Sequence, residues 1–265
     1  MFNETIRSNT ARFIASDIID KVLLRDLPSL YGIQDIQELN RLFLTLAYNS
    51  GNEISLDNLS KESGVAKNTI KRYLEYLEAA FLLRRVYRVD HTARRFQRET
   101  TFNIYLANPT MRAALFGPVS DGDLAMGPLT ETAIFSQWFH STGSVSELHY
   151  ARWKGGEVDI VHCPAKTQKP LWAMEVKWSD HPVSHSEDLD GLIEFCKRHN
   201  LLRSILVTTK TFEGTKKFGE AVINFRPSSL HAYVLGRNTA RRAANELLKR
   251  EFRPEKETGV PGVVT

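Results

Sequence analysis

Cysteine is scarce: Cys163 and Cys196 are the only two in 265 residues, and no Cys-x-x-Cys pair occurs. That excludes a disulfide framework and a zinc ribbon, and points to reduced thiols in a cytoplasmic protein. No apolar run nears the ~20 residues that span a bilayer, so no membrane partner is expected. The start, Met1-Phe2-Asn3-Glu4-Thr5, has no basic segment followed by an apolar one, which argues against a secretion signal. There is no Gly-x(4)-Gly-Lys-[Ser/Thr] phosphate loop, hence no expected ATP site, and no Gly-x-Ser-x-Gly nucleophile elbow. Excess charge is slight: 35 Lys and Arg minus 31 Asp and Glu gives +4. What is present is ordinary globular material, 42% hydrophobic and 25% charged, enough for one large or two small domains.

The basic charge is clustered. Residues 84–98 hold Arg84, Arg85, Arg88, Arg94, Arg95 and Arg98 against Asp90, or 6 − 1 = +5, with Tyr87 and Phe96 interleaved. Guanidiniums beside aromatic faces suit a phosphate backbone; the plain alternative is a solvated hairpin whose Arg stems cover apolar surface. A second group, Arg237, Arg241, Arg242, Lys249, Arg250 and Arg253, reads as the solvated face of a C-terminal helix. The tail from 254 to 265 has little core material and is expected to be disordered.

Helical periodicity runs through 8–25 and 35–49, with Pro28 and Gly32 expected to break between them. Residues 56–62 and 67–80 read as two helices joined at Gly64, a helix-turn-helix pattern. Lys67, Asn68, Thr69, Lys71 and Arg72 open the second helix, where a recognition helix meets base edges. Strands at 82–89 and 102–106 would form a wing, with Arg94, Arg95 and Arg98 in its linker. Winged helices serve as DNA-binding and as protein-docking modules alike.

Beyond residue 110 the pattern changes. A helix is predicted at 128–142, strands at 148–153, 158–163 and 171–177, a helix at 187–199, and strands at 203–209 and 231–235. The fold class is α/β (α+β) with a mixed sheet. The expected division is a helical and winged helix-turn-helix domain over 1–110, a second domain over 111–236, and a basic helix with its tail over 237–265.

Two strands carry acids where a core strand should be apolar: Asp159 in Glu157-Val158-Asp159-Ile160-Val161, and Glu175 in Met174-Glu175-Val176-Lys177. Residues two apart on a strand share a face, so Glu175 and Lys177 point the same way. A buried charge there is costly unless paired or metal-bound. The structural alternative is an ion pair of Lys177 with Asp159 or Glu175. The chemical reading is the PD-(D/E)xK nuclease arrangement. Two carboxylates on neighbouring strands can share one hard divalent cation, with magnesium expected and manganese as substitute. The metal would acidify a bound water and polarise the phosphate, and Lys177 would orient that water and stabilise charge on phosphate oxygens. Glu131, on the preceding helix, is a third candidate acid and metal ligand. The pair His181 and His185 lacks a zincin context, and Trp138, Trp153, Trp172 and Trp178 read as core or cleft wall.

These segments resemble the C-terminal half of prokaryotic AAA-type ATPases that carry a C-terminal domain of unknown function. The residues that carry the resemblance are Asp26-Leu27-Pro28 with Tyr31-Gly32-Ile33, the run from Thr69 to Glu78, Gly127-x-Leu129-x-Glu131, Tyr150 with Arg152-Trp153, Glu157-Val158-Asp159 and Glu175-Val176-Lys177. The resemblance implies a winged helix joined to a restriction-endonuclease-like fold, from about residue 12 to about 210. It also implies DNA, or else RNA, as a partner, and association with an AAA-type ATPase. This sequence departs from the pattern in lacking the phosphate loop, which implies a fragment, a split gene product or a truncated relative that does not itself hydrolyse ATP. It also has Asn108 where many relatives have Asp.

Overall fold

The computed structural model describes residues 10–94, 100–139 and 145–251. Arg95, Arg98, Arg253 and the 254–265 tail lie outside them. The chain opens on a helical stretch that is π-helical over Phe13–Asp20 and Val22–Asp26 and α-helical in α1 (Leu27–Tyr31). Pro28 does not break this stretch as expected. It falls in the first turn of α1, where a missing N–H costs little. The stop is Gly32, at φ 64°.

α2 (Ile36–Tyr48) starts at Asp35, whose side chain accepts the Glu38 N–H at 2.8 Å. It buries Leu39, Leu42, Phe43, Leu46 and Ala47, the stripe its periodicity predicts. After β1 (Glu53–Ser55) come α3 (Leu56–Ser63) and α4 (Lys67–Ala79), joined through Gly64 at φ 73°. α4 buries Ile70, Tyr73, Leu74 and Leu77. At about 1.5–3 kcal/mol per large apolar side chain, these faces weld the helices to β2 (Leu83–Val89) and β3 (Thr101–Leu106) in one core.

α5 (Thr110–Phe116) and α6 (Met126–Ser136) lead into β4 (Leu148–Trp153), β5 (Gly156–His162) and β6 (Trp172–Glu175). Then follow α7 (Asp190–Arg198), β7 (Ile205–Thr209), β8 (Gly214–Phe218), β9 (Ala221–Pro227) and α8 (Ser228–Glu251). The described strands form one nine-stranded mixed sheet in the order β1-β3-β2-β4-β5-β6-β7-β9-β8. The expected boundary near residue 110 is bridged by that sheet: β2 runs parallel to β4, with Arg88 opposite Tyr150 and Val89 opposite Ala151. On one face α7 packs Leu192, Phe195 and Cys196 over Val158, Val161, Ala173 and Val207. On the other, α6 and α8 cover Ile160, Met174, Tyr105 and Val86.

The predicted last strand at 231–235 is helix instead. His231 and Leu235, four apart, turn toward the sheet while Tyr233 and Arg237 face solvent, so a 3.6-residue period overrides the β-prone composition. The edge pair β8 and β9 takes the place of that strand.

Candidate active site

Asp159 owes its position to a break in strand alternation. Between β4 and β5 the register steps from His149 opposite Val161 to Ala151 opposite Val158, so Tyr150 faces both Asp159 and Ile160. This is a β-bulge. Val158 and Val161 both belong to the α7 side of the sheet and Ile160 to the α6 side. In a regular strand Val158 and Ile160 would share a face. Pairing of β5 with β6 ends at Ile160 opposite Met174. One residue further along each strand stand Asp159 and Glu175, where the strands part. Asp159 Oδ2 accepts the Val176 N–H at 2.7 Å.

Strand β6 ends at Glu175, two residues short of the expected 177. Lys177 nevertheless stays on the Glu175 side, and its Nζ donates to Glu175 Oε1 at 2.8 Å. Its backbone is clamped by Thr208, whose Oγ1 accepts the Lys177 N–H at 2.9 Å and donates to the Lys177 carbonyl at 3.1 Å. Glu175 is 4% exposed, and its Oε2 is buried without a hydrogen-bond partner. Glu131, from α6, accepts the Tyr105 hydroxyl at 3.0 Å on Oε2, and Asn103 donates to Tyr105 at 3.1 Å.

The electrostatics tie the four groups together. Burial pushes the Asp159 carboxyl up to about 6, against the pull of the Lys177 ammonium. Burial, reinforced by the Asp159 carboxylate, pushes Glu175 up to about 8. Glu131 is raised well above its ordinary value, first by burial and then by Asp159. Burial alone would lower Lys177, but the carboxylates of Glu175 and Asp159 outweigh it and hold the ammonium above the usual lysine value. Glu131, Asp159, Glu175 and Lys177 thus share one site.

Two of the four, Glu131 and Asp159, line a polar cavity of about 390 Å³ together with Glu53, Asn103, Tyr150 and Arg152 among others. Glu53, from β1, accepts the Tyr150 hydroxyl at 2.6 Å and lies 3.4 Å from Arg152 and 3.8 Å from Arg88. Glu53, Asn103 and Tyr105 were not singled out from sequence. They come from strands of the first 110 residues, and no local pattern shows that β1 and β3 wall a cavity built on β5 and α6.

Among the described residues, no group of three or more His, Cys, Asp or Glu side chains is disposed to hold a metal ion. The donor pair at the strand opening is Asp159 and Glu175, while one Glu131 oxygen is taken by Tyr105.

The basic candidates lie elsewhere. Lys67, Asn68, Lys71 and Arg72 are exposed on α4, and Arg94 is exposed after β2. Lys67 is ion-paired with Asp57. Of the other arginines in the basic stretch, Arg85 is held by Glu78, its Nη2 at 2.6 Å from Oε2, and Arg88 lies against Glu53. These two serve the fold before they can serve a phosphate.

A family model described as a domain of unknown function (DUF8612) matches residues 1–121. The matched stretch ends before α6, so the four groups of the acidic site all lie beyond it. No curated protein and no solved structure matches the chain.

Proposed function

We propose that the chain is a DNA-interacting protein with a magnesium-dependent, PD-(D/E)xK-type site that hydrolyses phosphodiester bonds, with RNA as the alternative substrate and manganese as a substitute ion. The observation that carries this reading is a nearly dry carboxylate, Glu175, with an orphaned oxygen beside a second acid that a bulge turns toward it. Such an arrangement is costly in an empty site and suits a hard cation. Magnesium needs only one or two carboxylates, with water and substrate phosphate completing its shell, so the pair Asp159 and Glu175 fits it, with Glu131 close by. When bound, the ion would polarise the phosphate and acidify water.

The residues of the chain divide the remaining work. Lys177, kept cationic by its neighbours, offers a donor to oxygens on which charge grows, an interaction that gains strength in the transition state. Glu131, oriented by Tyr105, is the third acid beside Asp159. The order helix, strand, helix, helix, strand, strand, with strands paired β1-β3-β2, supports a winged helix over the first 110 residues. In that arrangement Lys67, Asn68, Lys71 and Arg72 would meet nucleic acid, aided by Arg94, Arg95 and Arg98.

A second reading has its own observation. The 2.8 Å contact of Lys177 with Glu175 is what a structural ion pair would look like. In that case the fold is a non-catalytic platform that binds nucleic acid or a separately encoded AAA-type ATPase. The two readings part in an assay of single- and double-stranded DNA with magnesium or manganese. Cleavage by the wild type that Asp159→Asn abolishes is the expected result. No cleavage under any of these conditions leaves the platform reading.

A further inference from the structure

A second cavity, of about 520 Å³, lies between the sheet and α8, walled by Trp138, Trp172, His162, His231 and Leu235 with Arg242 among its lining residues. It touches β6 at Trp172, Ala173 and Met174, but its lining includes none of Glu131, Asp159, Glu175 and Lys177 and shares no residue with the acidic cavity, so the two are separate. His231 is 6% exposed, and both its ring nitrogens are buried without a partner. His162 Nδ1 is likewise buried and unpartnered, although its Nε2 lies 3.2 Å from Glu147. Buried polar atoms in native proteins are nearly always satisfied, and three orphaned ring nitrogens around one cavity imply a polar occupant. Burial, helped by Arg226, lowers His231 to about 4. Its ring is therefore neutral and presents one donor and one acceptor.

The walls add a shape. His162 stacks on Trp172 at 5.3 Å between centroids, and Trp172 on Trp138 at 6.2 Å, with planes within 23° and 21°. This column of three rings is a surface on which a further flat ring can stack. Arg242 is exposed at the rim, and its guanidinium supplies a forked donor for one anionic group. We propose that this cavity binds a small flat heteroaromatic anion, stacked on the tryptophan column, hydrogen-bonded to His231 and ion-paired with Arg242. A nucleoside monophosphate and an aromatic carboxylate share that chemistry. With no glycine-rich loop to cradle a phosphate chain, a single anionic group fits better than a triphosphate.

The test is titration of the full chain with adenosine 5′-monophosphate, indole-3-acetate, adenosine and inorganic phosphate, read by quenching of tryptophan fluorescence and by calorimetry. Binding of either of the first two is expected, and which one binds distinguishes nucleotide from carboxylate. His231→Phe, which keeps a ring but removes both nitrogens, should weaken that binding at least about tenfold, as should Arg242→Gln at the rim. His231→Phe should also raise the melting temperature of the ligand-free protein, because two unsatisfied buried atoms are removed. The proposal is overturned if neither probe binds at up to about 10 mM, well above the affinities of specific sites. It is equally overturned if adenosine or inorganic phosphate binds as well as the charged ring compound, or if both variants bind like the wild type.

Discussion

Glu175 sets the energetic character of the acidic site. Its carboxyl is held near 8 by burial and by Asp159, whereas an unfolded chain ionises it near its ordinary value. The native state therefore binds the proton more tightly. The stability this contributes is complete below about pH 4.5 and is lost as pH rises through about 8. In chelator, the melting temperature should fall across that window, and Glu175→Gln should remove much of the fall. At pH 8 the variant should melt several degrees higher, given about 2–4 °C per kcal/mol for a chain of this size. Millimolar magnesium should flatten the wild-type profile, since a cation takes the place of the proton. A flat profile in chelator, measured by calorimetry, would show that Glu175 is not the strained group described.

At the scale of elements, the bulge in β5 and the seam between β2 and β4 bring the site together. Gly51 fixes the approach of β1 to α6. It sits at φ +88°, and a Cβ there would meet Pro128 atoms at 2.6–2.7 Å. Gly51→Ala should therefore destabilise the chain by roughly 1–3 kcal/mol from backbone strain alone, read from denaturant unfolding. A change below about 0.5 kcal/mol, the usual surface value, would mean that this contact yields easily. The exposed start of α4 makes a different prediction. If Lys71 and Arg72 each neutralise one phosphate, changing both to Gln should reduce the log–log salt slope of DNA binding by about 1.8. An unchanged slope would take nucleic acid off that helix face.

The elements also show what was legible in the sequence. The stripes of α2 and α4, the strands β4 to β6 and the acids at 159 and 175 follow from periodicity and from misplaced charge. β9 was visible in principle, since Ala221, Ile223 and Phe225 alternate inward, but the β-prone run at 231–235 competed with it. The bulge was not legible, because alternation alone cannot show where a strand gains a residue. Nor were Glu53, Asn103 and Tyr105, which reach the site only because β1 and β3 join the same sheet as β5.

At the scale of the whole molecule, one sheet couples the basic helices to the acid cleft. Within it Glu53, on β1, reaches Arg88 on β2 and Tyr150 and Arg152 on β4. No helix among the described residues is long and apolar enough to cross a membrane. Lys177 is proposed to act on phosphate rather than only on Glu175. The direct measurement compares Lys177→Ala with wild type in magnesium-dependent cleavage, with DNA affinity and thermal melting recorded alongside. The expected rate is at least about 10²-fold lower, as when one transition-state donor is removed, with DNA affinity nearly unchanged. Wild-type protein that cleaves neither single- nor double-stranded DNA with magnesium or manganese, beside a Lys177→Ala variant destabilised by about 3–5 kcal/mol, would contradict it.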